Sequence, residues 1–298
     1  MPLGPAKGNW VDLSFSYNML KFFSGVHIDN SKRLVHYFRR IRGVREEMLP
    51  FLEELVLKNQ AGLGGLDDIL DEPGLGTVEM AYNLTATALA AQRDNGNAAC
   101  YERALVLHDR EFYALAGTMA TIREHLKVFE RSSNARTRAI CEASIMNDRA
   151  FHIRTSIAFL PVVKPDARPG DIDRLGELLV QLRSMELVLK DLMHDLRKDI
   201  KNRSLNCLLE FAMKYHSRRA VTDGVRMVCD ELERRFDRVR TGWGAREYAE
   251  AVALAREDMA ATRESVNEAL DELERDHLLW LNIKVVHILH NLQKRLRG

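Results

Sequence analysis

Proline is scarce in this chain and absent from its longest stretches. Its seven prolines stand at Pro2, Pro5, Pro50, Pro73, Pro161, Pro165 and Pro169. A proline inside a helix deletes a hydrogen bond and collides with the preceding turn, so residues 77–160 and 171–240 are largely open to long helices. Cysteine is scarce as well. Cys100, Cys141, Cys207 and Cys229 form no Cys-x-x-Cys pair and predict buried free thiols from a reducing compartment. Neither sign of charge prevails. Since 44 Lys and Arg face 43 Asp and Glu, no global field draws in nucleic acid or anionic lipid, and such binding must come from local clusters. Basic residues are not interleaved with aromatics, which argues against nucleic acid as a partner. No run of about eighteen uncharged apolar residues supplies a membrane span. The opening Met-Pro-Leu-Gly-Pro has no apolar core after a basic start, so no secretory leader is expected. The expectation is a cytoplasmic protein that meets a membrane only peripherally.

What the sequence does contain is apolar periodicity. Apolar residues make up 46% of it and charged residues 29%, enough for a sizeable core and too apolar for disorder. Punctuation falls at Gly62, Gly64 and Gly65 with Pro73-Gly74 and Gly76, at Pro161 to Gly170, and at Thr241-Gly242-Trp243-Gly244. Asp171 stands where a helix N-cap belongs. Four helical segments follow, about 9–60, 77–160, 171–240 and 245–297. At about 1.5 Å per residue an unbroken second segment reaches on the order of 120 Å, which predicts an elongated molecule. The stripes have helical spacing. They are Phe112, Leu115, Met119, Ile122, Leu126 and Phe129 in the second segment, and Ile172, Leu175, Leu179, Leu182, Leu189, Met193, Leu196 and Ile200 in the third. After Arg203 the register shifts to Leu208, Phe211, Tyr215, Arg218, Thr222, Val225, Cys229, Leu232, Phe236 and Val239. The fourth segment offers Val252, Ala255, Met259, Val266, Leu273, Trp280 and Ile283. These seams predict an all-α fold: one elongated antiparallel long-helix bundle over residues 1–298. Leu178, Leu187, Leu192, Leu205 and Leu209 lie off the main seam and point to a second buried face, hence a homodimer.

Three stretches carry a resemblance. They are FFSGVHIDNSKRLVHYFRRIRGVREEMLPFLEEL from Phe22, GTVEMAYNLTATALAAQ from Gly76, and YERALVLHDREFYALAGTMATIREHLKVFE from Tyr101. Together they resemble the F-BAR and wider BAR superfamily of membrane-curvature modules, with the proline-rich stretch 161–170 where that family turns at its tip. The resemblance implies a bent, crescent- or rod-shaped dimer whose basic side chains press against anionic phospholipid, with no catalysis and no cofactor. Two features depart from the family: the chain is neutral and favours arginine, and its fourth segment is long.

The cations that would carry this role fall in clusters. Arg33, Arg39, Arg40 and Arg42 crowd the first segment beside Lys32 and Arg45; Arg131, Arg136 and Arg138 follow the Lys-x-Phe-Glu-like stretch; Lys198, Lys201 and Arg203 follow Arg197 in the third. Each cation near an anionic membrane contributes about 1 kcal/mol, so several must act together. A solvated face paired with acids such as Glu46 and Glu47 is the plainer reading of each cluster. Lys164 and Arg168 are diluted by Asp166 and Asp171, and an N-terminal wedge of Trp10, Phe15, Phe22 and Phe23 competes with packing as a core helix.

Two other classes stay open. A non-enzymatic coiled-coil scaffold or adaptor with protein partners needs the same seams. A class I prenyl-diphosphate or terpene synthase would use Asp67-Asp68-Ile69-Leu70-Asp71-Glu72 to hold magnesium. Against it, that motif sits among glycines and Pro73, and no second metal motif follows; Asp191 and Asp195 do not match one. A carboxylate-bridged di-iron bundle needs two Glu-x-x-His pairs and Glu274–His277 stands alone, while His287 and His290, one turn apart, have no Cys or carboxylate to join them, so no metal site is expected.

Overall fold

The computed structural model describes residues 26–57, 59, 98–202, 206–215 and 217–297, and among them every regular element is helical. In chain order these are α1 Val26–Arg39, α2 Ala98–Arg131, α3 Ala135–Ala150, α4 Ile153–Ile157, α5 Leu160–Val163, α6 Pro169–Lys190, α7 Leu196–Asn202, α8 Cys207–Lys214, α9 Arg218–Thr241, α10 Ala249–Arg275 and α11 His277–Arg297. Residues 49–57 are also helical, and a π-helical turn, Asp191–Asp195, joins α6 to α7. The chain forms two compact units. One takes Met1–Leu115, His152–Gly176 and Gly244–Leu254; the other takes Ala116–Phe151, Glu177–Trp243 and Ala255–Gly298.

The long proline-poor stretches are not single helices. α2 stops at Arg131, and Asn134 caps α3 by accepting a hydrogen bond from Thr137 N at 3.1 Å. Asn206 caps α8, accepting from Leu208 N at 3.0 Å, and Ser217 caps α9, accepting from Ala220 N at 3.2 Å. Short polar side chains that reach a nearby backbone N–H offer the chain an alternative to continuing the helix. Breaks therefore fall at Asn and Ser, where a search for proline and glycine passes over them. The register shift after Arg203 has this cause in part, since a new helix starts just beyond it.

In the first unit, α1 buries Leu34, Val35 and Phe38 along one stripe, Ile41 is buried just beyond its end, and residues 49–57 add Leu52, Leu55 and Val56. After α1 the chain turns sharply at Gly43, whose φ of 81° suits glycine best. The turn is fixed from outside: Arg42 N donates to Glu247 O at 2.9 Å and Arg45 N to Val163 O at 2.8 Å. The stretch expected as a tip turn, residues 161–170, is interior in its first part and follows a buried run. Ile157, Ala158, Phe159, Leu160, Val162 and Val163 are all buried, and Pro161 occupies the first turn of α5, where its missing N–H is least costly. Its apolar run favours burial once the chain supplies partners. Only Pro165, Asp166 and Arg168–Gly170 are exposed there. α6 begins at Pro169, so Asp171 lies in the first turn, ion-paired to Arg168 at 2.7 Å.

In the second unit, α9 packs on α3 and runs antiparallel to α10, with Thr222 bonded to Glu274, Arg226 paired to Asp271 and Arg263 to Asp230. The shifted stripe of α9 is interior as predicted: Thr222, Val225, Cys229, Leu232 and Phe236 are buried. The stripe of α6 slips at the π turn. Leu175, Leu179 and Leu182 are buried, Met193, inside the wider turn, is 54% exposed, and Leu196 just after that turn is buried again. Leu178, Leu187, Leu192 and Leu209 are buried within the chain itself, so the surplus that pointed to a dimer is already covered; Leu205 lies outside the described residues.

Candidate functional site

The predicted cations divide into exposed and interior. Arg33, Arg39, Arg40 and Arg42 are exposed in the first unit; Arg39 lies in the last turn of α1, where the helix dipole favours positive charge, and Arg40 and Arg42 follow in the turn beyond it. In the second unit Arg131 closes α2 and Arg136 lies in the first turn of α3; both are exposed. A cation at a helix N-terminus opposes the dipole, so Arg136 is in a locally unfavourable place that an external anion would relieve. Lys198 is exposed on α7, Lys201 lies in the same helix, and Arg203 is outside the described residues.

Arg138 leaves this set. It is 8% exposed; its Nε donates to Tyr215 Oη at 3.0 Å and its Nη1 to Ser132 O at 2.8 Å, with the guanidinium 4.3 Å from the Tyr215 ring centre. The α2–α3 break brings that carbonyl to it, and Ser132 and Tyr215 together turn the cation inward. The expected tip cations are likewise occupied. Lys164 is buried against Asp166 and Glu247, at 3.1 and 3.3 Å.

An exposed apolar stripe among the described residues was not among the sequence candidates. On α11, Leu278, Leu281, Val285, Ile288 and Leu292 are 74, 58, 46, 55 and 49% exposed, and Leu289 joins them. Their alternating three- and four-residue spacing makes one stripe, opposite Trp280 and Ile283, which are buried beside α8. The sequence from His277 to Arg297 holds Lys284, Lys294, Arg295 and Arg297 and not one Asp or Glu. Both signals are in the sequence. They are overlooked because Trp280 and Ile283 complete the α10 seam and account for the helix on their own.

Among the described residues, buried polar groups cluster in each unit. In the first, His108 Nε2 lies 3.1 Å from Asn59 Oδ1, while Asn59 Nδ2 donates to Thr155 and Ser156, each at 2.8 Å. His108 stacks on Phe159 with centroids 5.2 Å apart, and burial lowers its pKa to about 4. Glu111 takes Arg154 at 2.8 Å and also pairs with Arg110; despite its burial, those guanidiniums hold its pKa below the usual range. In the second unit, Arg149 grips the buried Asp191, Asn206 donates to Asp199 at 3.0 Å, and burial followed by the charge of Glu210 pushes Glu142 up to about 8.

Burial raises the Cys207 thiol well above its ordinary value, which suppresses the thiolate. Among the described residues no group of three His, Cys, Asp or Glu could hold a metal ion, and the Asp67–Glu72 motif lies outside them. Of the Glu274–His277 pair, Glu274 accepts from Thr222 and His277 Nδ1 from Arg218. No helix among the described residues is long and apolar enough to cross a membrane. Comparison with family models, with curated proteins and with solved structures finds no match for this chain.

Proposed function

We propose that the protein is a non-catalytic helical protein that docks on anionic membrane surfaces, with α11 as its principal contact. The observation that carries this reading is the exposed Leu278–Leu292 stripe on a helix whose only charges are positive. A helix of that kind lies in the interface plane, its apolar side among acyl chains and its cations among headgroups. Exposed apolar patches of more than a few hundred Å² are uncommon on monomers that bind nothing. Arg39, Arg40, Arg42, Arg131, Arg136 and Lys198 are exposed cations that can add to the attraction, each by about 1 kcal/mol. The BAR resemblance extends this reading to a curvature-sensing dimer, which requires in addition that two copies pair.

The test is co-sedimentation with vesicles of phosphatidylcholine alone or mixed with phosphatidylserine, at low and high salt. Uptake by the anionic vesicles alone, falling with salt and lost in a Leu281→Glu, Ile288→Glu variant, is the expected result. An absence of uptake at low salt overturns it. A second reading has one observation behind it: the same stripe has coiled-coil spacing, so α11 of one copy can zip onto α11 of another in a scaffold. Sedimentation velocity decides that reading, which requires a wild-type dimer that the same double variant converts to monomer.

A further inference from the structure

Beneath the exposed stripe, a cavity of about 160 Å³ opens between α8, the start of α9 and α11. Ala212, Val221, Ile283 and Ile288 form its apolar wall. Its polar lining is Tyr215, Ser217, Arg218, Trp280, Lys284 and His287, with no carboxylate. We propose that this cavity binds a phosphate group carrying an apolar substituent. The inference goes beyond membrane docking and does not depend on it.

Three donors carry the argument. Arg218 uses Nη1 on His277 Nδ1 at 3.1 Å, while its Nε and Nη2 are buried with no hydrogen-bond partner. Those two nitrogens form the guanidinium edge that grips a carboxylate or phosphate two-pronged. Trp280 is 5% exposed, and its Nε1–H also has no acceptor. Buried donors are almost always paired, so three orphaned N–H groups on two residues lining one cavity mark a place for an acceptor.

The field around the cavity has the matching sign. Arg218 and Lys284 are cationic, and Arg218 opens α9, a 24-residue helix with no acid in its first turn. The positive end of that helix dipole therefore faces the site without a compensating carboxylate on its own turn. Glu274, whose carboxylate feels the charge of Arg218, is bonded to Thr222 at 2.7 Å and lies 3.4 Å from Arg226; it does not line the cavity. A carboxylate ligand would serve the guanidinium edge alone. The terminal oxygens of a phosphate can serve that edge, the indole N–H and Lys284 together. A volume of about 160 Å³ far exceeds that needed for a single water, which leaves room for an organic group against Val221, Ile283 and Ile288.

The phosphate can come from a soluble monoester or from a lipid headgroup, since Ile288 belongs to both the cavity wall and the exposed stripe. Calorimetric titration of the full chain with phenyl phosphate, inorganic phosphate and benzoate tests the site. Phenyl phosphate should bind one to one, at least about tenfold tighter than the other two. Arg218→Gln should weaken it about tenfold or more, and Arg218→Lys should restore only part of the loss. Lys284→Gln changes an exposed side chain and should weaken binding in a folded protein whatever Arg218→Gln does to the fold. Absence of saturable binding, or Lys284→Gln and Arg218→Gln chains that bind like wild type, overturns the proposal.

Vesicles containing phosphatidic acid separate the sources. If they compete with phenyl phosphate, the headgroup is a ligand. If phenyl phosphate binds and vesicles do not, the ligand is a soluble ester, and membrane docking fails while this site stands. If vesicles bind and phenyl phosphate does not, the site fails while docking stands.

Discussion

Arg149 holds Asp191 with both arms of its guanidinium: Nη1 lies 2.8 Å from Oδ2, Nη2 lies 3.1 Å from Oδ1, and the aspartate is fully buried. Cys207 N adds a third bond to Oδ2 at 3.2 Å, and Asn206 donates to the Asp191 carbonyl at 2.9 Å. One carboxylate thus ties α3, the π turn and the start of α8 together.

Removing one partner of that pair leaves the other charged and buried. Asp191→Asn should therefore cost about 3–5 kcal/mol, whereas replacing both by apolar residues, Arg149→Met with Asp191→Leu, should recover much of the loss. Urea denaturation at neutral pH measures both. Equal losses in the single and double variants would show that the ion pair is not the source of the effect.

Glu142 makes stability fall as pH rises. Burial first, then the neighbouring Glu210 charge, raises its carboxyl from 4.5 to about 8, against the opposing pull of Arg149. The folded protein therefore holds a proton that the unfolded chain has released. That contribution is complete below about 4.5 and is lost as pH climbs through about 8. Glu142→Gln should flatten the loss of stability between about pH 5 and pH 8, a difference on the order of a few kcal/mol. Parallel denaturation curves of the two proteins across that window would contradict it.

His108 works in the opposite direction. Its pKa in the fold, about 4, lies below the ordinary 6.5, so the unfolded chain takes up the proton first. The stability tied to neutral His108 is present above 6.5 and disappears as pH falls toward 4. His108→Gln should lose that acid dependence while carrying a constant deficit of about 1–3 kcal/mol from the Asn59 bond and the Phe159 stack. Thermal melts between about pH 4 and pH 7 read both effects.

Gly224 is required by Phe211. A Cβ at that position would stand 2.7 Å from Phe211 Cδ1, and the ring is held by Phe129, edge-on at 5.8 Å, and by Tyr215, stacked at 5.5 Å. Gly224→Ala should lower stability by about 1–3 kcal/mol despite the better helix propensity of alanine. Adding Phe211→Leu should relieve the clash, so that the double variant loses less than the sum of the two single losses. Strict additivity in a double-mutant cycle would refute the contact.

Much of the core was readable as pattern. Val225, Cys229, Leu232 and Phe236 on α9, and Ala255, Met259, Val266, Leu273, Trp280 and Ile283 on α10 and α11, were picked by spacing alone and are buried. Periodicity is a local property, and a 3.6-residue repeat needs no knowledge of what it will meet. Helix ends were read less well. Asn134, Asn206 and Ser217 look ordinary in the sequence and interrupt helices only because their side chains turn back onto the backbone.

The candidate surfaces divide along the same line. Arg131, Arg136 and Arg138 are equivalent as letters, yet the first two are exposed and the third is interior, because Tyr215, 77 residues further on, comes back to meet it. Composition and spacing by themselves determined the helical class, the stripes and the absence of acids from residues 277–297. Only the tertiary structure decided which stripe of α11 is covered and which is bare, and which buried donors lack an acceptor. The reason is physical: helix formation depends on neighbours three and four residues away, whereas burial and desolvation depend on partners brought together from distant parts of the chain.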